Sequence, residues 1–293
     1  MTYSLVARDP ASGELGVAVQ SHWFSVGSIV TWARAGVGAV ATQSVAEPAY
    51  GERLLARLAR GEPVAAALAS ELAADEVEHF RQVAAVDAAG VVAAHTGEGC
   101  IAHAGQAQGD GFGAQANMMA SPAVWPAMAA AFERATGQLA ERLLEALEAG
   151  EEAGGDVRGR QSAALLVVPA QGEPWETVVD LRVEDSPEPL AELRRLLALD
   201  RAYALADRAD ELAGSAEHER AAGLYAEAAA AAPEKLELGF WAGLGIAATG
   251  DLEAGAARVA EVIEADPAWA ELLARLEPEI APAAPAVRDR LGI

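Results

Sequence analysis

Two apolar runs joined by a turn open the chain and constrain its fold more than any other feature. Thr2-Tyr3-Ser4-Leu5-Val6-Ala7-Arg8 and Gly13-Glu14-Leu15-Gly16-Val17-Ala18-Val19-Gln20 have the alternating, β-branched character of strands. Asp9-Pro10-Ala11-Ser12-Gly13 supplies turn chemistry between them. A hairpin that begins at Thr2 holds in a sheet residues that in most domains fray. The position also has a chemical consequence. A small second residue permits removal of Met1, which leaves the Thr2 α-amine beside its own hydroxyl as a base that can activate it. Many chains beginning Met-Thr use neither group, so the catalytic reading depends on the scaffold that follows.

The 293 residues are enough for two domains, and 52% hydrophobic content argues for filled cores. The net charge of −23 disfavours binding to nucleic-acid phosphates or anionic lipid, and it keeps an alanine-rich chain soluble. A single cysteine, Cys100, excludes an intrachain disulfide framework. No signal-peptide pattern and no long uninterrupted apolar run is present, so the expectation is a cytoplasmic protein.

Beyond the hairpin, residues 28–34 and 38–43 read as strands. Tyr50, Leu54, Leu55 and Leu58 fall on one face of a helix that Gly61-Glu62-Pro63 stops, and a second helix covers 64–74. Strands follow at 81–87 and 91–96. The glycine-rich 97–115 reads as irregular, 118–147 as helix broken near Thr136-Gly137, and 162–168 and 177–183 as a last strand pair. Runs of strands alternating with runs of helices suit sheets sandwiched between helix layers, not a doubly wound fold.

Composition shifts at Asp185-Ser186-Pro187-Glu188-Pro189. This places a first domain at 1–186, a linker or helix at 187–200 and an all-α domain at 201–293. In the last of these, Pro233 and Pro267 are 34 residues apart, the length of a tetratricopeptide unit. A plain helical bundle is the alternative. The large apolar residues of 200–275, Trp241 and Trp269 among them, exceed what two short hairpins can cover. The expectation is that another chain or the first domain covers them, and a homodimer is the form expected if it is another chain.

Several motifs fail on context. Gly36-Val37-Gly38-Ala39-Val40-Ala41 fits a dinucleotide fingerprint but precedes a strand instead of a helix, so no helix N-terminus can receive a pyrophosphate. His95, Cys100 and His103 match no common zinc spacing, and neither a G-x-S-x-G elbow nor a P-loop is present. No metal and no cofactor is expected. What stands out is a set of polar residues at strand ends: Ser21, His22, Arg34, Gln43, Ser44, His95, Asn117, and the run Asp156-Val157-Arg158-Gly159-Arg160-Gln161-Ser162. Loops positioned by a rigid sheet commonly carry function.

In combination, Thr2 to Asp9, Gly36 to Gln43, Ala94-His95-Thr96-Gly97 and Gly155 to Ala164 closely resemble a family of bacterial proteins catalogued as domain of unknown function 1028 and assigned to the N-terminal-nucleophile (Ntn) hydrolase superfamily. The resemblance covers about residues 2–198. It implies an α+β fold, a four-layer αββα sandwich, here followed by a small helical-repeat domain. It also implies an amide-bond hydrolase that uses Thr2, acting on a small-molecule or peptide-like amide. The expected roles are Thr2 as nucleophile, Arg34 beside it, and Asn117 or a backbone amide near Gln43 and Ser44 as oxyanion donor. Ser21, His22, Gln43, Ser44, His95, Asp156, Arg158 and Gln161 are the expected substrate-binding groups, with Arg158 and Gln161 suited to a carboxylate. The alternative is a non-catalytic binding protein whose helical appendage recruits a protein partner.

Overall fold

Alternation within each strand decides which face is apolar and which carries the site. The computed structural model describes residues 2–293, and its contacts divide the chain after Leu197 into two compact units. Among the described residues the first contains ten strands. β1 (Thr2–Arg8), β2 (Leu15–Ser21), β7 (Gly105–Gly109), β8 (Phe112–Asn117), β9 (Ser162–Val168) and β10 (Val179–Val183) form a six-stranded antiparallel sheet in the order β10-β9-β2-β1-β8-β7. β3 (Thr31–Arg34), β4 (Gly38–Ser44), β5 (Arg81–Asp87) and β6 (Val92–Thr96) form a second antiparallel sheet in that order.

Tyr3, Leu5 and Ala7 of β1 face α4 (Val124–Arg134) and α5 (Leu139–Glu152), and share a core with Phe112, Met128, Phe132, Leu143 and Leu147. On the four-stranded sheet, Val40, Val83 and Ala85 face α2 (Ala49–Leu58) and α3 (Val64–Ala73), burying Tyr50, Leu54 and Leu55. The other faces of the two sheets meet through Val6, Val17, Val19, Ala39, Ala41, Ala84 and Val86. Each strand thus sends odd and even positions into different cores, as a two-residue period requires.

Two departures from the sequence reading concern whole strands, beyond shifted ends such as a helix that starts at Val124 and not at 118. Residues 28–34 are not one strand, because Gly27–Val30 form a helical turn, α1, before β3 begins. The Thr31 hydroxyl donates to the Gly27 carbonyl at 2.8 Å, a local bond that competes with strand pairing. The stretch expected to be irregular holds β7 and β8. Neither contains a β-branched residue, and β8 is a strand because β1 pairs with it from Thr2↔Asn117 to Ala7↔Phe112. Tertiary pairing outweighs local propensity there.

A long helix, α6 (Pro189–Gly214), contains the division between the units. In the second unit its last turns pack with α7 (His218–Ala231) and α8 (Leu236–Ala248) through Ala202, Ala206, Ala209, Tyr225 and Leu238. A second cluster joins α8 to α9 (Leu252–Ala265), α10 (Ala268–Arg275) and α11 (Ala284–Leu291). Its centre is Phe240, fully buried, with the Trp241 and Trp269 rings 5.5 and 5.0 Å from it. Trp241 and Trp269 are themselves only partly buried by these contacts. The apolar excess counted over 200–275 is partly covered by residues beyond it, Leu276, Ala281, Ala284 and Val287. Among the described residues no helix is long and apolar enough to cross a membrane.

Close approach of α8 and α9 depends on glycine. A Cβ on Gly255 would lie 2.5 Å from the Gly243 carbonyl oxygen and 2.6 Å from the Ala247 nitrogen, both backbone atoms. Gly223, exposed on α7, has nothing within 4 Å of such a Cβ. Ordinary helix propensity favours alanine over glycine by about 1 kcal/mol. Gly223→Ala is therefore expected to raise the thermal midpoint of the helical signal in the full chain, and Gly255→Ala to lower it, as measured by circular dichroism.

Candidate functional site

The space between the sheets changes character along its length. At one end it is aliphatic. At the other, the inward positions of the same strands are Thr2 and Ser4 on β1, Ser21 on β2, Gln43 on β4, Gln82 on β5, and Gln115 and Asn117 on β8, all buried. Buried amides and hydroxyls are tolerated only when paired, and these pair chiefly with each other and with strand carbonyls. Gln43 Nε2 donates to the Thr2 carbonyl at 3.0 Å and to Gln82 Oε1 at 2.8 Å, while Gln43 Oε1 accepts from the Ser4 hydroxyl at 2.7 Å. Asn117 Nδ2 donates to Gln82 Oε1 at 2.9 Å and reaches the Thr2 carbonyl at 3.4 Å. Gln115 Nε2 donates to Ser4 Oγ at 3.2 Å and to the Ala41 carbonyl at 3.1 Å, bridging the two sheets.

Thr2 is thereby fixed from both sheets. Its carbonyl is held by Gln43 and Asn117, and its hydroxyl donates to Ser21 Oγ at 3.1 Å. Its exposed side opens on a cavity of about 530 Å³, within the range of small-molecule sites. Gln43, Ser44, Asn117, Met118 and Arg158 line the same cavity, together with apolar residues that include Trp23, Val26, Ile29, Val45 and Ile101. Ser44 and Met118 have φ of 72° and 56°, in the left-handed region that non-glycine residues seldom occupy. Each directly follows a residue that holds the Thr2 carbonyl, so the chain turns sharply at the ends of β4 and β8 and lines the cavity there. Such strained residues cluster at functional sites.

The cavity walls are braced from behind. Asp156, its side chain wholly buried, accepts from the His22 backbone amide at 3.1 Å, from the Arg158 amide at 2.9 Å, and from Arg158 Nε and Nη2 at 3.2 and 2.9 Å. The Ser162 hydroxyl donates to the Trp23 carbonyl and accepts from the Val26 amide, which anchors the 23–26 loop. Arg81 Nη1 donates to the Val45 carbonyl at 2.6 Å, and its Nε donates to Asp75 Oδ2 at 2.7 Å. The Arg81 guanidinium, with help from the Val77 amide and the Tyr50 hydroxyl, holds the Asp75 carboxyl below its usual range against the opposing effect of burial.

Residues 2–193, all in the first unit, match the family described as a family of unknown function, DUF1028. The chain belongs to the DUF1028 family. It is similar to the crystal structure of a DUF1028 protein from Silicibacter pomeroyi, at 31% identity and a TM-score of 0.61, over 67% of this chain and 87% of that one. The Anbu (ancestral beta-subunit) protein of Yersinia bercovieri aligns at 11% identity over 66% of this chain and 91% of that one, with a TM-score of 0.33. No curated protein matches.

Of the residues singled out in this DUF1028 sequence, Thr2, Gln43, Ser44, Asn117 and Arg158 line the cavity, Ser21 contacts Thr2, and His22 and Asp156 lie behind Arg158. Three are elsewhere. Arg34 pairs with Gly38 at the aliphatic end of its sheet and binds Glu52 at 2.8 Å, so the cation in the cavity wall is Arg158 and not Arg34. His95, opposite Val83 on β5, contacts Glu78, and Gln161 donates to Asp185 at 3.1 Å. Asn117 lines the cavity while its Nδ2 donates to Gln82 Oε1 and reaches the Thr2 carbonyl. The sequence reading missed Ser4, Gln82 and Gln115. The signal available for them was polar side chains at inward positions of buried strands. Among the described residues no group of three or more His, Cys, Asp or Glu is placed to hold a metal.

The Asp75–Arg81 pair gives a pH test. The folded Asp75 carboxyl is more acidic than the unfolded one, whose pKa is about 3.9. Its stabilising contribution is therefore complete well above pH 4 and is lost as pH falls through the lower, folded value. Asp75→Asn is expected to cost about 1–3 kcal/mol in urea unfolding at pH 7. The cost should shrink steadily below pH 4, and a cost independent of pH would contradict the assignment.

Proposed function

We propose that this protein is an amide-bond hydrolase of Ntn type in which Thr2, once Met1 is removed, is the nucleophile. Met1 lies outside the described residues. The observation that carries the reading is the placement of Thr2, the first residue of a central strand, at the floor of a large cavity with its carbonyl held by amides from both sheets. The succession of helices, sheet, sheet and helices in the first unit supports an αββα sandwich of the Ntn kind.

The Thr2 hydroxyl attacks the amide carbonyl carbon while its proton passes to the α-amine. The C–N bond then breaks, and that proton leaves with the amine product, which leaves an acyl ester on Thr2. Water attacks the ester, again giving a proton to the α-amine. The acid is released and the Thr2 hydroxyl is restored. Ser21 orients the nucleophile through its contact with Oγ. Asn117 or a backbone amide beside Gln43 and Ser44 supplies the oxyanion donor, a role worth about 3–4 kcal/mol where such donors have been removed.

The helical unit serves as a protein-interaction appendage of tetratricopeptide-like build. Supporting this, Pro233 and Pro267 both fall between helices, separating the pairs formed by the end of α6 with α7, by α8 with α9, and by α10 with α11.

The test is hydrolysis of a panel of acyl-amides by protein shown to lack Met1. Thr2→Ser is expected to retain turnover, and Thr2→Ala to lose it by about a thousandfold or more with an unchanged circular dichroism spectrum. Because the neutral amine is the base, kcat/KM should rise with pH through about 8, the range of an α-amino group. If the Met1-free protein cleaves nothing yet binds a panel member in the cavity, the protein is a binding protein instead.

A further inference from the structure

The cavity over Thr2 is lined by an uneven set of groups. Its walls are apolar, formed by Trp23, Val26, Ile29, Val30, Val45 and Ile101, and four large side chains around it remain exposed: Trp23 at 56%, Val45 at 53%, Ile101 at 57% and Phe80 at 40%. Exposed apolar surface gathered around one opening marks a binding site, whereas scattered exposed residues need no explanation. Trp23 and Val45 are not simply loose. The carbonyl of the first is fixed by Ser162 and that of the second by Arg81, so these side chains are displayed by a braced backbone.

In a chain with 44 acidic and 21 basic residues, the one ionisable side chain lining this cavity among the described residues is Arg158, and no carboxylate among them lines it. Asp156 holds the guanidinium plane by a two-point contact, and two backbone amides also donate to that carboxylate, which fixes Arg158 in the cavity wall. A neutral, polar or cationic substrate would make no use of this arrangement. A carboxylate on a largely apolar molecule would use both parts.

Resting on the hydrolase reading, we infer that the substrates are anionic amphiphilic amides, in which a large apolar acyl or aryl group packs against the Trp23, Val45 and Ile101 walls and a carboxylate meets Arg158. The two ends flank the amide, which lies over Thr2. The apolar walls set chain-length preference, and the guanidinium fork sets charge preference.

The test is binding, which does not need turnover. Full-length Thr2→Ala protein is titrated by calorimetry with N-dodecanoylglycine, N-dodecanoylglycinamide and N-acetylglycine, all below micellar concentrations. The first should bind about tenfold or more tighter than either of the others, a difference of about 1.4 kcal/mol. Arg158→Lys, which keeps the charge but loses the fork, should shrink the acid-over-amide ratio and leave the chain-length ratio intact. Equal affinity for acid and amide, or for the long and the short acyl group, overturns the inference, and the ligand series decides this even if the variant misfolds. The outcome is separable from the hydrolase reading. If the ligands bind in the expected order but Met1-free protein cleaves none of them, the reading fails and the ligand class stands. If only short polar amides are cleaved, the reading stands and this inference falls.

Discussion

Seven polar side chains between two sheets set the terms for the rest of the first unit. Thr2, Ser4, Ser21, Gln43, Gln82, Gln115 and Asn117 are all buried, and leaving one buried donor or acceptor unpaired costs about 1–3 kcal/mol. A slip of one residue in any of the four strands β1, β4, β5 or β8 would turn its hydroxyls or amides into the helix-facing cores and bring apolar groups into the polar layer. Register across both sheets is thus locked by the same bonds that hold Thr2. The aliphatic half of the layer contributes most of the hydrophobic stabilisation, and the polar half fixes which strand atoms face which. At two points, after Gln43 and after Asn117, the chain passes through left-handed backbone, and the surrounding network stabilises that strain.

The cavity follows from this frame. Once Thr2 is fixed, its surroundings come from loops that are each tied down by one buried polar group: Ser162 for the Trp23 loop, Arg81 for Val45, and Asp156 for Arg158. Rigid elements therefore position a wall of flexible composition, an arrangement suited to holding a substrate over one fixed atom. Arg81 carries part of this through Asp75 and Tyr50, whose hydroxyl is held above its usual range by burial and then by the Asp75 carboxylate. The acidic chain thus presents an apolar recess in whose wall an arginine, and no carboxylate among the described residues, is placed.

Much of this was legible in the sequence where a period or a turn residue marked it. The opening hairpin, the amphipathic helix carrying Tyr50 and Leu54, and the final strand pair follow from alternation, helical spacing and glycine. The strands at 105–117 were hidden because glycine, alanine and glutamine have no strand propensity, and only pairing with β1 makes β8 a strand. Arg34 looked suited to the site because it ends a strand, but strands have two ends, and the sequence does not say which end faces the cavity. Gln82 escaped notice because it stands beside Arg81 at the start of an apolar run, where both read as the polar edge of the strand. The part of the Phe240 cluster that lies beyond residue 275 was not counted because short helices interrupted by proline, such as the segment around Pro282 and Pro285, carry little periodic signal.

The central claim is that Thr2, with a free amine, is the reactive atom's residue. Its most direct test is intact-mass analysis, followed by peptide mapping, of native protein treated with an aliphatic β-lactone, which acylates an activated hydroxyl. The account predicts that the untreated protein begins at Thr2, and that one adduct forms, maps to the N-terminal peptide, and is absent from Thr2→Ala. Retention of Met1, or an adduct that persists in Thr2→Ala, would contradict it.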